Sequence, residues 1–187
     1  MIVYVNIQLY SLFLSISEPQ APEILIDTLN LAIFAYILGL VSGIILFKVG
    51  QSISLLTYIF EDRSFNTYGS LVIIKSIIMV LYSILGIYFT SMLRTGLLHN
   101  DAELIDSMMQ LIYPLSILQR GSMVLGLIGF FLLGLKIWRI QKTIYLKYAG
   151  ICSIMIIIGA FLIFLFESGL ILVSMGLWYL AKGMEKT

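Results

Sequence analysis

The chain has 187 residues, 60% of them hydrophobic and 11% charged, with a net charge of +1 and a mean hydropathy of +1.06. Soluble domains carry about 25% charged residues, so this composition leaves too little polar surface to face water. The near-neutral charge argues against nucleic acid as a partner. The single cysteine, Cys152, excludes an internal disulfide and a cysteine-ligated metal.

A helix needs about 20 apolar residues to cross a hydrocarbon core of about 30 Å. It satisfies its own backbone groups, which lipid cannot do. The period-two alternation of a membrane barrel is not found in this sequence. Residues 1–17 are apolar but short, and Asn6 and Gln8 dilute them. No Lys or Arg precedes that run, as a secretory signal requires. The expectation is a short helix that spans or lies in the membrane. Residues 23–47 form the first long span, with Asp27 and Asn30 near one end. Ala35, Gly39 and Gly43 recur every four positions on it, which lets another backbone approach closely. This stripe is a candidate packing face, inside the bundle or against a second copy. Residues 49–60 read as a separate, weaker segment after Gly50 and Gln51. Glu61, Asp62 and Arg63 then form a solvated turn.

Residues 67–92 form a second span with Lys75 inside it. Beyond it, Asn100 with Glu103 three residues later predicts a helix start of the capping-box kind. Leu104, Ile105, Met108, Met109 and Ile112 share one face of a helix over 101–113, and Asp101, Glu103, Asp106 and Gln110 lie mostly on the other. Such a helix is expected to lie flat on the outer lipid surface and to bend or end at Pro114. The other reading is an acidic docking surface for a partner or a cation. Residues 121–139 form the next span, where Ser122 and Gly126 repeat the small-residue theme. Residues 144–166 follow, with Cys152 as a small buried hydrophobe. The last piece, residues 168–181, reaches only about 21 Å as a helix. The expected fold is an all-α polytopic transmembrane helical bundle. It has five to six spans, an outer amphipathic interfacial helix and one membrane domain.

Orientation follows from basic residues, which concentrate on the cytoplasmic side. The densest basic link holds Lys136, Arg139, Lys142 and Lys147 and is placed inside. Lys48, Arg63, Lys182 and Lys186 then fall inside too, eight of the eleven Lys and Arg in the chain. Trp138 and Trp178 land at the inner interface, which suits their amphipathic rings. With the first segment spanning, both termini are cytoplasmic.

Intramembrane ionisable groups are functional candidates, and Lys75 and Glu167 both fall within the apolar slab. Lys75 can snorkel toward the inner headgroups, and Glu167 can sit as a turn carboxylate. The sharper reading is a polar contact between the two inside the bundle. His99 reads as a solvated loop residue rather than a pH-sensing or metal-binding group. The sequence offers no nucleophile–base arrangement and no phosphate loop. The expectation is therefore a non-catalytic membrane protein without a cofactor, a structural or accessory subunit of a larger membrane complex. Its partners are the lipid bilayer and other membrane subunits or further copies of itself. The alternative is a small oligomeric transporter or channel, for which Asn30, Lys75 and scattered Ser and Tyr make a thin lining.

Overall fold

A computed structural model of the chain describes residues 21–140, 149–165 and 169–184. These residues form five helices: α1 (Ala21–Phe60), α2 (Ser64–His99), α3 (Ala102–Ile140), α4 (Ala149–Leu165) and α5 (Gly169–Met184). No strand occurs among the described residues, and the fold is an all-α membrane helical bundle. Three helices are long and apolar enough to cross a membrane, within α1, α2 and α3, and shorter apolar helices span Ala149–Leu162 and Ile171–Lys182. The candidate span over residues 1–17 lies outside the described residues, as do residues 144–148 of the span expected over 144–166.

The long helices are longer than the sequence suggests. The segment 49–60 is not separate, because α1 is continuous for 40 residues. Polar Gln51 and Ser52 are exposed on its surface, and the Ser52 hydroxyl donates to the Lys48 carbonyl at 3.0 Å. A drop in hydropathy therefore changes the helix surface without breaking its backbone ladder. Residues 101–113 are likewise not a separate helix. They begin α3, which runs 39 residues straight through Pro114.

Buried positions in every helix step by fours and threes. In α1 they run Leu25, Leu29, Ala32, Tyr36, Gly39, Gly43 and on to Ile53. In α2 they run from Phe65, Gly69, Val72 and Ser76 to Leu93, and in α3 from Leu115, Gln119, Ser122 and Gly126 to Leu133. The pairs Ala149–Ser153 and Ile156–Ala160 in α4, and Gly169–Val173 and Gly176–Leu180 in α5, keep the same step. A 3.5-residue repeat holds one face of each helix against its neighbours. These faces mix large apolar residues, among them Leu29, Phe65, Tyr82 and Phe130, with small and hydroxyl ones. The outward faces carry large apolar ones, among them Phe34, Ile45, Ile84, Ile154 and Ile171. In water that distribution would cost free energy at every exposed side chain. In lipid it costs nothing, and small residues let dispersion act over close backbones.

The chain divides into two compact units, and each long helix contributes one part to each. The first is the described part of Met1–Ile44 with Ile77–Arg120. Its core joins Leu25, Leu29, Ala32, Tyr36, Tyr82 and Leu93 to Leu115. Tyr36 meets Tyr82 edge-on with centroids 5.4 Å apart, and Gly86 leaves the space that the Tyr36 ring occupies. Ile105, Met108 and Met109 pack against this core. The apolar face expected on the outer lipid surface is thus partly covered by protein at these residues, because Gly96 on α2 lets Leu104 and Ile105 close in. Asp101, Glu103 and Asp106 remain exposed on the opposite face.

Asn100 closes α2 rather than opening α3. It has φ 54°, its N–H donates to the Leu97 carbonyl at 3.4 Å, and the Asp101 N–H donates to the Gly96 carbonyl at 2.9 Å. That is a Schellman closure with Asn in the left-handed position. Asp101 is the N-cap of α3, its carboxylate accepting the Leu104 N–H at 3.0 Å. Asp101→Ala is expected to cost about 1 kcal/mol in an unfolding titration, as loss of an N-cap does. Asn100→Gly is expected to cost nothing, because glycine adopts that backbone freely.

The second unit joins Ile45–Ser76 with the described part of Gly121–Thr187. Here α1 and α2 meet at Gly50 and Gly69, where a Cβ on Gly69 would stand 2.6 Å from the Gly50 carbonyl oxygen. Gly134 on α3 opposes Ile157 and the Ser153 carbonyl of α4, and Gly159 and Gly176 bring α4 and α5 together. Phe131 and Phe161 meet edge-on at 5.7 Å.

Candidate functional site

Lys75 of the second unit is a buried charged residue, 4% exposed. It sits on α2 opposite Gly126 of α3. A Cβ at Gly126 would lie 2.5 Å from Lys75 Cδ, 2.9 Å from Cε and 3.0 Å from Nζ. The missing side chain of Gly126 therefore forms the groove in which the lysine stem lies. The stem is thus buried against the facing helix rather than exposed. A helical side chain leans toward its own N-terminus, but a groove on the facing helix supplies contacts that lipid does not. One turn along, Gly129 packs against Leu71 and Val72 and keeps the two helices close. Ser76 and Ser122, both buried, belong to the same pair of helices. Lys75, Ser76 and Ser122 all have partners in the fold.

Glu167, the residue read as a contact for Lys75, lies outside the described residues. Ala35, Gly39 and Gly43 are all buried within the first unit, so this stripe is covered by the chain itself. His99 is exposed, with its Nδ1 2.9 Å from the Thr95 carbonyl. Cys152 is buried and reduced. Asp106 accepts from Gln110 at 3.1 Å, and no group of three His, Cys, Asp or Glu among the described residues is placed to hold a metal.

Two features escaped the sequence reading. Gly69, Ser76, Ser83 and Thr90 recur every seven residues on α2, and all are buried. That spacing was the available signal for the helix face that packs. The second is Asp62, read as part of a solvated turn. It forms an ion pair with Lys136 of α3, and it accepts the Ser64 N–H at 2.9 Å and the Ser64 hydroxyl at 2.7 Å. The turn is set by Glu61, which has φ 51°. Lys136, and then the two Ser64 donors, hold the Asp62 carboxyl at about 2, below the ordinary 3.8.

A carboxylate with a lowered folded-state pKa contributes stability that is present above its unfolded value and lost as pH falls through the folded one. The Asp62 contribution is thus full above 3.8 and disappears toward about 2. In acid unfolding, the stability gap between the wild type and Asp62→Asn is expected to close across that window. A gap that stays constant there would mean that the carboxylate is not held in this way.

The arrangement seats the Lys75 side chain of α2 in a groove of α3, inside a bundle whose outer faces are apolar. It can hold polar groups away from lipid and fix the register of the two helices. No protein-family model, no curated protein and no solved structure matches this chain.

Proposed function

We propose that this protein is a non-catalytic integral membrane subunit, structural or accessory to a larger membrane complex in the cell membrane. One observation carries the reading. Exposed large apolar residues on α1 run from Leu31 to Ile45 and, after exposed Lys48, Gln51 and Ser52, resume at Leu55, Tyr58 and Ile59, so that Leu31 and Ile59 stand about 42 Å apart at roughly 1.5 Å per residue. A hydrocarbon core of about 30 Å, even with an average tilt of about 20°, covers only part of that length. The exposed apolar residues Leu55, Tyr58 and Ile59 lie beyond that polar belt, and exposed apolar patches of this kind mark protein contacts. Another subunit is the natural cover for them.

The basic residues near the ends of α3 and α5 support a cytoplasmic position for that end and for both termini. Cysteines introduced at Gln141 and Asp101 test the orientation. An impermeant reagent on intact cells is expected to modify Asp101→Cys and spare Gln141→Cys, and the reverse pattern would overturn the assignment.

The alternative, a small oligomeric transporter or channel, draws on the buried Lys75 with Ser76 and Ser122, since intramembrane charges often mark pathways. Purification from native membrane with mass spectrometry separates the two. A stoichiometric second protein is the expected result. Copies of this chain alone, at fixed stoichiometry, would favour the transporter reading.

A further inference from the structure

Several aromatic and basic residues of the second unit fall at one level. Gly134 of α3 faces Ile157 of α4, and Gly176 of α5 faces Ile156, so the two glycines mark the same height. Both α3 and α5 run antiparallel to α4 and continue past that height in the same direction. Trp138 and Arg139 follow Gly134, and Trp178 and Lys182 follow Gly176, each within two turns. The Asp62–Lys136 ion pair brings Arg63 to the same end of α3. Trp138 is 43% and Trp178 57% exposed. Arg63, Arg139 and Lys182 are exposed, and the Lys182 amine stands over the Trp178 ring at 4.9 Å. Among the described residues, the acidic members at this end are Glu61 and Asp62, and Asp62 is engaged by Lys136.

We propose that this end of the second unit is a collar for anionic phospholipid headgroups. Arg63, Arg139 and Lys182 attract the phosphates, and Trp138 and Trp178 seat at the headgroup boundary. Charge complementarity selects the occupant. Exposed indole beside exposed cations suits a surface that is apolar on one side and anionic on the other. A soluble acidic protein would satisfy the cations but leave both indoles against polar surface. The inference rests on the membrane reading of the bundle and adds a lipid preference to it.

The chain has two tryptophans, and both lie in the collar, so intrinsic fluorescence reports on it directly. The full chain is reconstituted into vesicles of phosphatidylcholine and phosphatidylglycerol, in which one lipid or the other carries bromine as a quencher. Brominated phosphatidylglycerol is expected to quench more strongly, with an apparent preference of about fivefold, the value of one basic group at an anionic surface. The preference is expected to vanish at high ionic strength and in Arg63→Gln/Arg139→Gln. It is expected to persist in Arg94→Gln/Arg120→Gln, whose charges belong to the first unit. Equal quenching by the two lipids in the wild type would overturn the proposal, as would a preference insensitive to both salt and Arg63→Gln/Arg139→Gln. If neither lipid quenches, the collar does not touch lipid, and the membrane placement of this end fails with it.

Discussion

Gly69→Ala is expected to destabilise the protein by about 1–2 kcal/mol, against the intrinsic preference of a helix for alanine. That preference favours alanine by about 1 kcal/mol. The new methyl, however, would stand 2.6 Å from the Gly50 carbonyl oxygen and 2.8 Å from the Ser54 nitrogen. Neither is a side-chain tip that can swing away, so α1 and α2 must part, and overpacking of this kind costs about 1–3 kcal/mol. Separation also weakens the Phe60–Phe65 stack beyond it, whose centroids are 5.3 Å apart. Gly121→Ala supplies the opposite sign. Nothing lies within 4 Å of the added Cβ there, so the helix preference acts alone and stability rises by up to about 1 kcal/mol. Unfolding in detergent measures both. A neutral or stabilising Gly69→Ala would mean that the two backbones do not meet at this point.

The second large effect is a coupling. Gly126→Ala is expected to cost about 1 kcal/mol in the wild type, because the end of the Lys75 side chain, though flexible, is buried and partnered and must leave the space of the new methyl. In a Lys75→Ala background the stem is gone, and the same change is expected to be neutral or stabilising. The coupling in the double-mutant cycle should exceed about 1 kcal/mol. Lys75→Met keeps most of the stem and removes the charge. It is expected to preserve the penalty at Gly126, which separates crowding from electrostatics. Additive effects within about 0.5 kcal/mol would place the lysine stem elsewhere.

These residues also mark what the sequence could and could not reveal. The membrane character was legible because long apolar runs leave few alternatives. Ala35, Gly39 and Gly43 could be put on one stripe because spacing on a helix fixes a face, and all three are buried. The seven-residue series from Gly69 to Thr90 was equally readable, but serine and threonine carry no hydropathy signal and so do not stand out. Helix ends were less readable. Asn100 looks like an N-cap by composition, yet in the left-handed conformation it closes the preceding helix, and Asp101 takes the cap. Neither Gln51 nor Pro114 stops its helix, because a polar or proline residue on an exposed face leaves most of the ladder intact. Lys75 stood out in the sequence. Its surroundings did not, because nothing in the order of residues says that Gly126 lies across from it. Asp62 was missed for the same reason, its partner Lys136 being far along the chain.

The central claim is that the helices turn large apolar residues outward to lipid and meet one another along buried faces where small residues allow close approach. Nitroxide labels at exposed Leu38, Ile84 and Ile154 in the reconstituted protein test it most directly, through collision rates with oxygen and with a polar nickel chelate. Oxygen concentrates in hydrocarbon and the chelate in water, so high oxygen and low nickel accessibility is expected at all three positions. High nickel accessibility there would put these faces in water and contradict the account.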